Sequence, residues 1–231
     1  MKLLEVVEIN LQWSDLDSLT YHPRQETKRS GGEHVSDVLK VLREYSIAKN
    51  MYTQEDREDD MPLRILLGLA FEEAAARLYP HMTWQPGEVT HDRLAGSPDG
   101  LSILNGIPGM SEQIDLEEVA LVCVDEFKYT GKSQRIKGRK PQPNGKLRPE
   151  DLKDIRQEWL WIQQGMAYIN LLRRSRKTFE SIDLCRFHIC WKFADYVFPM
   201  TEKYYRYLVQ FEEAELRGNY AMMQAFRKGQ I

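Results

Sequence analysis

An alternating apolar run that ends in charged residues constrains this chain more than any other feature. In "VCVDEFKYTGK", residues 122–132, Val122 and Val124 are followed at the same two-residue spacing by Glu126 and Lys128. Residues two apart in a β-strand face the same side, so these four side chains are predicted to share one face. The pattern predicts a strand that leaves the core and ends at a polar cleft, with Glu126 and Lys128 as half of an active site. The alternative is a strand that simply reaches the surface.

Helical and strand patterns alternate along the rest of the chain. Helices are predicted over 36–49, from Pro62 to about Tyr79, over 149–174 and over 201–226, with Ser36 as the N-cap of the first. Strands are predicted over 83–91, 94–104 and 118–128, with one strand or a hairpin over 181–199. The segment 129–149 is predicted to be a loop. Helices around a short run of strands indicate class α/β, with a central mixed β-sheet flanked by helices.

The composition is that of a globular chain. The 231 residues are 42% hydrophobic, which predicts one fairly large domain over residues 1–231. No apolar run reaches the roughly 18 residues of a membrane helix, and Glu5 and Glu8 interrupt the apolar N-terminus, so no membrane span or signal peptide is expected. The three cysteines form no Cys-x-x-Cys pair, which argues against a disulfide framework or a zinc site and favours free thiols in a reducing cytoplasm.

Charge is segregated along the chain. The stretch from Phe127 to Pro149 holds eight basic residues and no acidic ones, whereas the whole chain has a net charge of -3. Removing those eight positive charges leaves about -11 on the remainder. A concentrated basic segment can steer a polyanion even on a chain that is acidic overall. Its alternative is a solvated surface loop.

Two more carboxylates stand out by their position. Asp99 lies at the bend of "AGSPDG", where a carboxylate beside a strand would be held rigidly, although Pro-Asp-Gly is also an ordinary turn sequence. Glu72 interrupts an otherwise apolar helical stripe, so it is predicted to face the core and to need a partner or a metal. The neighbouring Glu73 is predicted to drift toward solvent. The alternative is a rotated helix with Glu72 exposed.

The predicted helix 149–174 carries glutamines on an aromatic and apolar stripe. Gln157, Gln164 and Tyr168 recur at helical spacing. Glutamines need hydrogen-bond partners if that face is buried. The alternative is a hydrogen bond on the helix surface. Trp159, Trp161 and the aromatic residues of "EKYYRYL" are predicted to be core residues rather than platforms for stacked bases.

Asp99 followed by Glu126-Phe127-Lys128 resembles the PD-(D/E)xK signature of the restriction-endonuclease-like nucleases. The order of elements is also similar to that of these nucleases, because a helix with a core-facing Glu precedes the motif and a helix with Gln-x-x-x-Tyr follows it. The resemblance implies a restriction-endonuclease-like core.

A closer resemblance, over roughly residues 29–172, is to the phage lambda-type exonucleases. "GLAFEEAAARLY" resembles their Gly-x-x-x-Glu helix through Gly68 and Glu72, and "RSGGEHVSD" resembles their N-terminal Arg and Ser segment through Arg29 and Ser36. The gap between Asp99 and Glu126 is lengthened around 105–117.

RecB-type features are present as well. Gln164 and Tyr168 resemble the RecB-type motif, and His34 is similar in position to the upstream metal-binding His of those nucleases. The cysteine cluster that some RecB-type relatives carry is missing. For His34 we prefer the role of a structural residue at the start of a helix over that of a metal ligand.

The resemblance implies a Mg²⁺ site, which Mn²⁺ could also occupy. Asp99, Glu126 and the backbone carbonyl of Phe127 would hold the ion, and Glu72 would complete the site through water or a second ion. Oxygen ligands are those that Mg²⁺ prefers. Lys128 would orient or activate the attacking water and offset charge on the phosphate. Gln164 would support the site or hold substrate.

The resemblance also implies contacts to DNA. Arg29 and Ser36 would bind a terminal 5′-phosphate, Arg135 and Lys137 would contact phosphates along the basic segment, and Tyr168 is placed with the DNA-binding residues.

The implied function is a Mg²⁺-dependent exonuclease that degrades duplex ends 5′ to 3′ in phage recombination. The alternatives are an endonuclease of the same fold that cuts internally or at branched DNA, a non-catalytic DNA-binding or assembly protein with a vestigial site, and a small-molecule enzyme. The implied partners are duplex DNA with a free end, further copies of the chain in a ring and a single-strand annealing protein, with no membrane. The implied location is the cytoplasm of a phage-infected or prophage-bearing bacterium.

Overall fold

The computed structural model of the chain describes residues 1–9, 31–48, 62–79, 81–104, 121–133, 153–176, 179–192 and 202–229. The strands in these ranges are β1 (Lys2–Ile9), β2 (Glu33–His34), β3 (Met82–Trp84), β4 (Val89–His91), β5 (Leu94–Gly96), β6 (Gly100–Leu104), β7 (Leu121–Ser133), β8 (Leu184–Lys192) and β9 (Glu202–Gln210). The α-helices are α1 (Val35–Ala48), α2 (Pro62–Arg77), α3 (Trp159–Ser175) and α4 (Glu213–Arg227).

A six-stranded mixed sheet forms the centre of the fold, in the order β1-β9-β8-β7-β6-β3. Strands β7 and β8 are parallel, and the other neighbouring pairs are antiparallel. A parallel pair needs a crossover connection, and α3 lies between β7 and β8 in the sequence. A smaller sheet has the order β2-β5-β4. The predicted class, α/β with a central mixed sheet flanked by helices, is confirmed.

Strand β7 is buried on both faces. Val124 belongs to a large apolar cluster with residues of α1, α3, β8 and α4. Phe127 belongs to a second cluster with Phe71 and Ala75 of α2. Successive side chains of a strand point to opposite faces, so even-numbered residues of β7 share the face of Val124 and odd-numbered ones share that of Phe127. Glu126 and Asp125, neighbours in the sequence, therefore lie on opposite sides of the sheet.

Glycines allow α3 to pack closely against the strands. A Cβ atom at Gly96 of β5 would lie 2.6 Å from Tyr168 Cε1, and one at Gly165 would lie 2.9 Å from Phe187 Cζ. Both phenyl rings are buried. Because neither ring can move aside without opening the core, these positions need the missing side chain of glycine. Helix α3 is thereby fixed directly over β5 and β8.

Helix positions agree with the sequence pattern, with adjustments at the ends. Helix α1 begins at Val35, so Ser36 lies in its first turn rather than at the N-cap, and its Oγ is 2.9 Å from His34 Nδ1. Helix α3 starts at Trp159, because residues 155–157 form a short 3-10 helix and Glu158 has a non-helical backbone, with φ −102° and ψ 72°. The first residues of the predicted helix, 149–152, lie outside the described ranges.

The main error of the sequence-based assignment concerns 201–226, which was predicted to be one helix. Residues 202–210 are instead β9, and only the segment from Glu213 is helical. Tyr204, Tyr207 and Val209 are buried between β1 and β8, which suits aromatic and β-branched residues on a pleated surface. The capping box of Glu212 and Glu215 marks the true helix start.

Smaller corrections apply to the other strands. The predicted strand 83–91 is two strands, separated by a turn with positive φ at Gln85 (49°) and Gly87 (97°). The predicted strand 94–104 is interrupted at the Pro98–Asp99 bend. Residues 129–133, predicted to begin a loop, extend β7. Residues 193–199, the end of the predicted strand or hairpin, lie outside the described part of the chain.

None of the helices in the described ranges combines the length and the apolar character that a membrane crossing requires.

Candidate active site

The two halves of the motif meet at one point of the sheet. Strand β6 pairs antiparallel with β7 so that Gly100 lies opposite Asp125. The bend that precedes Gly100 therefore places Asp99 beside the end of β7. There the backbone N–H of Phe127 donates a hydrogen bond to Asp99 Oδ2 at 2.9 Å, across 28 residues of sequence.

Glu126, Lys128 and Asp99 form a compact charged cluster. Lys128 Nζ is 2.8 Å from Glu126 Oε2 and 3.8 Å from Asp99 Oδ2. The Glu126 side chain is fully buried, whereas those of Lys128 and Asp99 retain 15% and 16% exposure. The cluster is thus buried at Glu126 and open at its rim, as the alternation along β7 predicts for a cleft.

Burial and pairing set the charges of this cluster. Burial raises the pKa of Glu126 to about 8, and the nearby Lys128 offsets only part of that effect. For Lys128, burial alone would lower the pKa, but the charges of Glu126 and Asp99 outweigh it and raise the pKa. Lys128 is therefore a protonated ammonium in this arrangement. As an ammonium it can neutralise charge and donate hydrogen bonds.

Glu72 faces inward from α2, as its stripe predicts. It is 5% exposed, and Trp84 Nε1 donates to its Oε1 at 3.2 Å. Its charge contributes to the raised pKa of Lys128, after the larger effects of burial, Glu126 and Asp99. The expectation that Glu73 is exposed is wrong, because Glu73 is also 5% exposed and pairs with Arg77 at 2.7 Å. The long arginine side chain reaches back along the helix and shields it.

The oxygen atoms of this cluster fit a hard cation. Glu126 Oε1 is buried and has no hydrogen-bond partner among the described residues. A buried carboxylate oxygen without a donor is costly, and a bound cation would satisfy it. In the described ranges no three His, Cys, Asp or Glu side chains converge as a ready-made metal site. One or two carboxylates with water and substrate phosphate are nevertheless a usual Mg²⁺ environment, which Asp99, Glu126 and the Phe127 carbonyl match in kind.

Gln164 and Tyr168 are linked to each other on α3. Gln164 Nε2 donates to the Tyr168 hydroxyl at 2.8 Å. Tyr168 is 2% exposed and its ring packs against Gly96, three residues before Asp99. Tyr168, predicted with the DNA-binding residues, therefore lies in the core as the support of Gln164. The stripe partner Gln157 belongs to the 3-10 helix and is exposed.

The predicted residues near the N-terminus are only partly within the described ranges. His34 lies on β2, opposite Ala95 of β5, and its Nδ1 is hydrogen-bonded to Ser36. This contact matches the structural role of a residue at a helix start. Arg29, Arg135 and Lys137, the other predicted phosphate contacts, lie outside the described residues.

A buried polar network lies behind the site, and the sequence interpretation missed it. Asp125 Oδ1 is 2.6 Å from Arg186 Nε and 3.0 Å from His188 Nε2, and Ser102 Oγ donates to Asp125 Oδ2 at 2.5 Å. The available signal was "CRFHIC" in β8, where Arg186 and His188 occupy alternate positions of an otherwise apolar strand. Two polar residues at that spacing indicate a partner on the same face of the sheet.

The network carries one negative and one positive charge. Burial alone would raise the pKa of Asp125, but the hydrogen bonds and charges of His188 and Arg186 outweigh it and lower the pKa. Burial lowers the pKa of His188 despite its contact with Asp125. Asp125 is thus a carboxylate, paired with the Arg186 guanidinium, and His188 is a neutral imidazole.

Comparisons with known proteins give matches among solved structures alone. No family model matches the chain, and no curated protein matches it. Among solved structures, the chain is similar to one described as the crystal structure of LHK-Exo in complex with dAMP, with a TM-score of 0.39 and 15% sequence identity. That match covers 86% of this chain and 87% of the other.

Proposed function

We propose that this chain is a metal-dependent deoxyribonuclease of the PD-(D/E)xK type, formed by residues 1–231 as one nuclease domain. The finer proposal is an exonuclease that hydrolyses phosphodiester bonds from duplex ends, 5′ to 3′, in phage recombination. The observation that carries the proposal is the cluster of Asp99, Glu126 and Lys128, with a buried Glu126 oxygen that lacks a hydrogen-bond donor among the described residues.

Each residue of the cluster has a role that follows from its surroundings. Asp99, Glu126 and the Phe127 carbonyl would hold Mg²⁺ or Mn²⁺. The bound ion supplies charge stabilisation at the phosphate and a more acidic water. Lys128, which remains protonated, neutralises the charge that develops on the phosphate and orients its oxygens. Glu72, held by Trp84, supports the site from α2.

DNA binding is proposed for the basic segment and the N-terminal region. Arg29 and Ser36 bind a terminal 5′-phosphate, and Arg135 and Lys137 contact phosphates of the backbone. Gln164, whose amide is held by Tyr168, supports the site or holds substrate. The proposal also includes a ring of several copies and a single-strand annealing partner. Its location is the cytoplasm of a bacterial host.

The experiment that tests it compares two DNA substrates. A 5′-phosphorylated linear duplex and a covalently closed circle are incubated with the protein, with Mg²⁺ and with EDTA. Loss of the linear DNA alone, only with Mg²⁺, supports the exonuclease. Cutting of the circle would replace it with an endonuclease, and binding without cutting of either substrate would replace it with a non-catalytic DNA-binding protein.

A matched pair of variants separates the site from the rest of the protein. Glu126→Gln keeps the shape of the side chain but cannot ionise to bind a cation, and should abolish cutting. Glu213→Gln makes the same change at an exposed position of α4, where Glu213 pairs only at the surface with Arg173. It should cut like the wild-type protein. Equal cutting by both variants would overturn the site assignment.

A further inference from the structure

The Asp125 network connects the strand that carries the site to its neighbours on both sides. Ser102 on β6, Asp125 on β7 and Arg186 on β8 form a closed triangle, because Arg186 Nη2 also donates to Ser102 Oγ at 2.6 Å. Asp125 is fully buried, and Ser102 and Arg186 are 5% and 8% exposed. The triangle therefore ties three adjacent strands together by side chains as well as by backbone hydrogen bonds.

The network continues through His188 to β9 and to the end of α2. His188 Nδ1 is 2.6 Å from the Tyr204 hydroxyl, which is 3.3 Å from the Tyr79 hydroxyl. The carboxylate of Asp125 only accepts hydrogen bonds, so His188 Nε2 carries the proton and Nδ1 accepts from Tyr204. The donors and acceptors are thus consistent from Tyr204 to Asp125. A satisfied buried network of this kind rigidifies the residues that it joins.

The network contacts β7 on either side of Glu126, at Asp125 and at Phe127. Asp125 precedes Glu126 directly and holds the strand from the opposite face. The His188 ring is stacked on that of Phe127, with centroids 4.4 Å apart and planes 18° apart. Phe127 supplies the N–H that binds Asp99 and the carbonyl proposed for the metal. A displacement of the Phe127 backbone would therefore move both halves of the motif.

We infer that Asp125 and His188 are positioning residues, which hold residues 125–128 of β7 so that Asp99, Glu126 and Lys128 keep their geometry. This inference rests on the proposed function. A buried ion pair often stabilises a core no better than apolar residues of similar volume do. Stability alone therefore does not account for the buried Asp125–Arg186 pair. Residues behind a metal site commonly have such a role.

The test uses the full chain and four variants. His188→Leu removes the bonds to both Asp125 and Tyr204, and His188→Gln retains an amide that can still donate to Asp125. Tyr204→Phe removes a single hydroxyl from the network. Tyr207→Phe is the matched control, because its hydroxyl also joins β9 to β8, by accepting a hydrogen bond from Trp191 Nε1 at 3.3 Å. If His188→Leu does not fold, Tyr204→Phe carries the test.

Two readouts are measured: kcat and KM on the linear duplex, and hydrogen exchange of the β7 amides by NMR. For His188→Leu we expect kcat to fall roughly 10-fold to 100-fold with KM for DNA unchanged, as for other residues that orient a site from behind. His188→Gln should recover most of the activity, Tyr204→Phe should show a smaller loss, and Tyr207→Phe should match the wild type. The Phe127 amide should exchange faster in His188→Leu and Tyr204→Phe, with the Val122 amide unchanged.

Hydrogen exchange separates this inference from the proposed function. If the wild-type protein cuts no DNA, the proposed function fails, and faster exchange at Phe127 alone still supports the positioning role. Unchanged exchange at Phe127 in a folded His188→Leu protein overturns the inference, whatever its activity. Equal losses of kcat in Tyr207→Phe and Tyr204→Phe overturn it too, because a general loss of stability would then explain both.

Discussion

The backbone N–H of Phe127 donates to Asp99 Oδ2 at 2.9 Å. This hydrogen bond holds a carboxylate from the bend before β6 against the strand that carries Glu126 and Lys128. It places the Phe127 backbone at the centre of the charged cluster.

The bond leads to a prediction for Asp99→Asn. The amide keeps an oxygen that can accept from Phe127, so the fold should persist, but the negative charge is lost. Because metal stabilisation of a phosphoryl transfer is worth several kcal/mol, cleavage should fall by about 100-fold or more. The cleavage rate and the melting temperature check this. Undiminished cutting by a folded Asp99→Asn protein would exclude Asp99 from the site.

Binding of a divalent ion should stabilise the wild-type protein. At an ion concentration about 100 times the Kd, the free energy of unfolding should rise by about 2.7 kcal/mol. The gain should be absent in Glu126→Gln, whose buried side chain cannot ionise to bind the ion, and present in Glu213→Gln. Thermal unfolding with Mg²⁺ and with EDTA measures it. The same gain in Glu126→Gln would place the ion elsewhere.

Lys128→Met should separate binding from cleavage. Methionine fills the space of the lysine stem but lacks the ammonium, which is bonded to Glu126 at 2.8 Å. Loss of a charged group that stabilises a transition state typically costs about 100-fold or more in kcat, while DNA binding through the basic segment should persist. Gel-shift and cleavage assays test this, with the exposed Lys228→Met as control. A parallel loss of DNA binding would make Lys128 a substrate-binding residue instead.

Trp84→Phe should weaken the support of Glu72. The change removes the indole N–H that donates to Glu72 Oε1 at 3.2 Å, and kcat should fall roughly tenfold. Trp191→Phe removes the same type of donor from a fully buried residue whose partner is Tyr207. That variant should lose more stability but keep its activity well below the melting temperature. The opposite ranking of the two activities would show that Glu72 needs no such support.

Two glycine substitutions should have effects of opposite sign. In Gly96→Ala the new Cβ would lie 2.6 Å from the buried Tyr168 ring, and overpacking of this kind costs about 1–3 kcal/mol. In Gly218→Ala no atom lies within 4 Å of the new Cβ, on a helix, so the free energy of unfolding should rise by about 0.5–1 kcal/mol. Urea unfolding of the two variants measures both. A neutral Gly96→Ala would contradict the close packing of α3 against β5.

Several features follow from the local sequence pattern alone. The two-residue alternation along 122–128 predicts that Glu126 and Lys128 share a face, because side chains of any strand alternate with that period. The helical stripe of α2 predicts that Glu72 is buried, since a periodic pattern reports the face that packs. The Pro98–Asp99 bend follows from turn chemistry, which acts within a few residues.

Other features depend on residues that are distant in the sequence. The "YYRYLVQF" segment is compatible with a helix by its spacing, and it becomes β9 because β1 and β8 bind it on both edges. Glu73 pairs with the long side chain of Arg77, and the helical stripe does not predict that contact.

In the sequence, Asp125 is simply another charged residue of "VDEFK", and nothing nearby indicates its partners. Its partners Ser102 and Arg186 lie 23 residues before it and 61 after it, and only the sheet brings them within hydrogen-bond distance. The local chain thus determines which side chains share a face, because that depends on backbone period. The tertiary structure decides which faces meet, because strand order is stabilised by burial of side chains across the whole sheet.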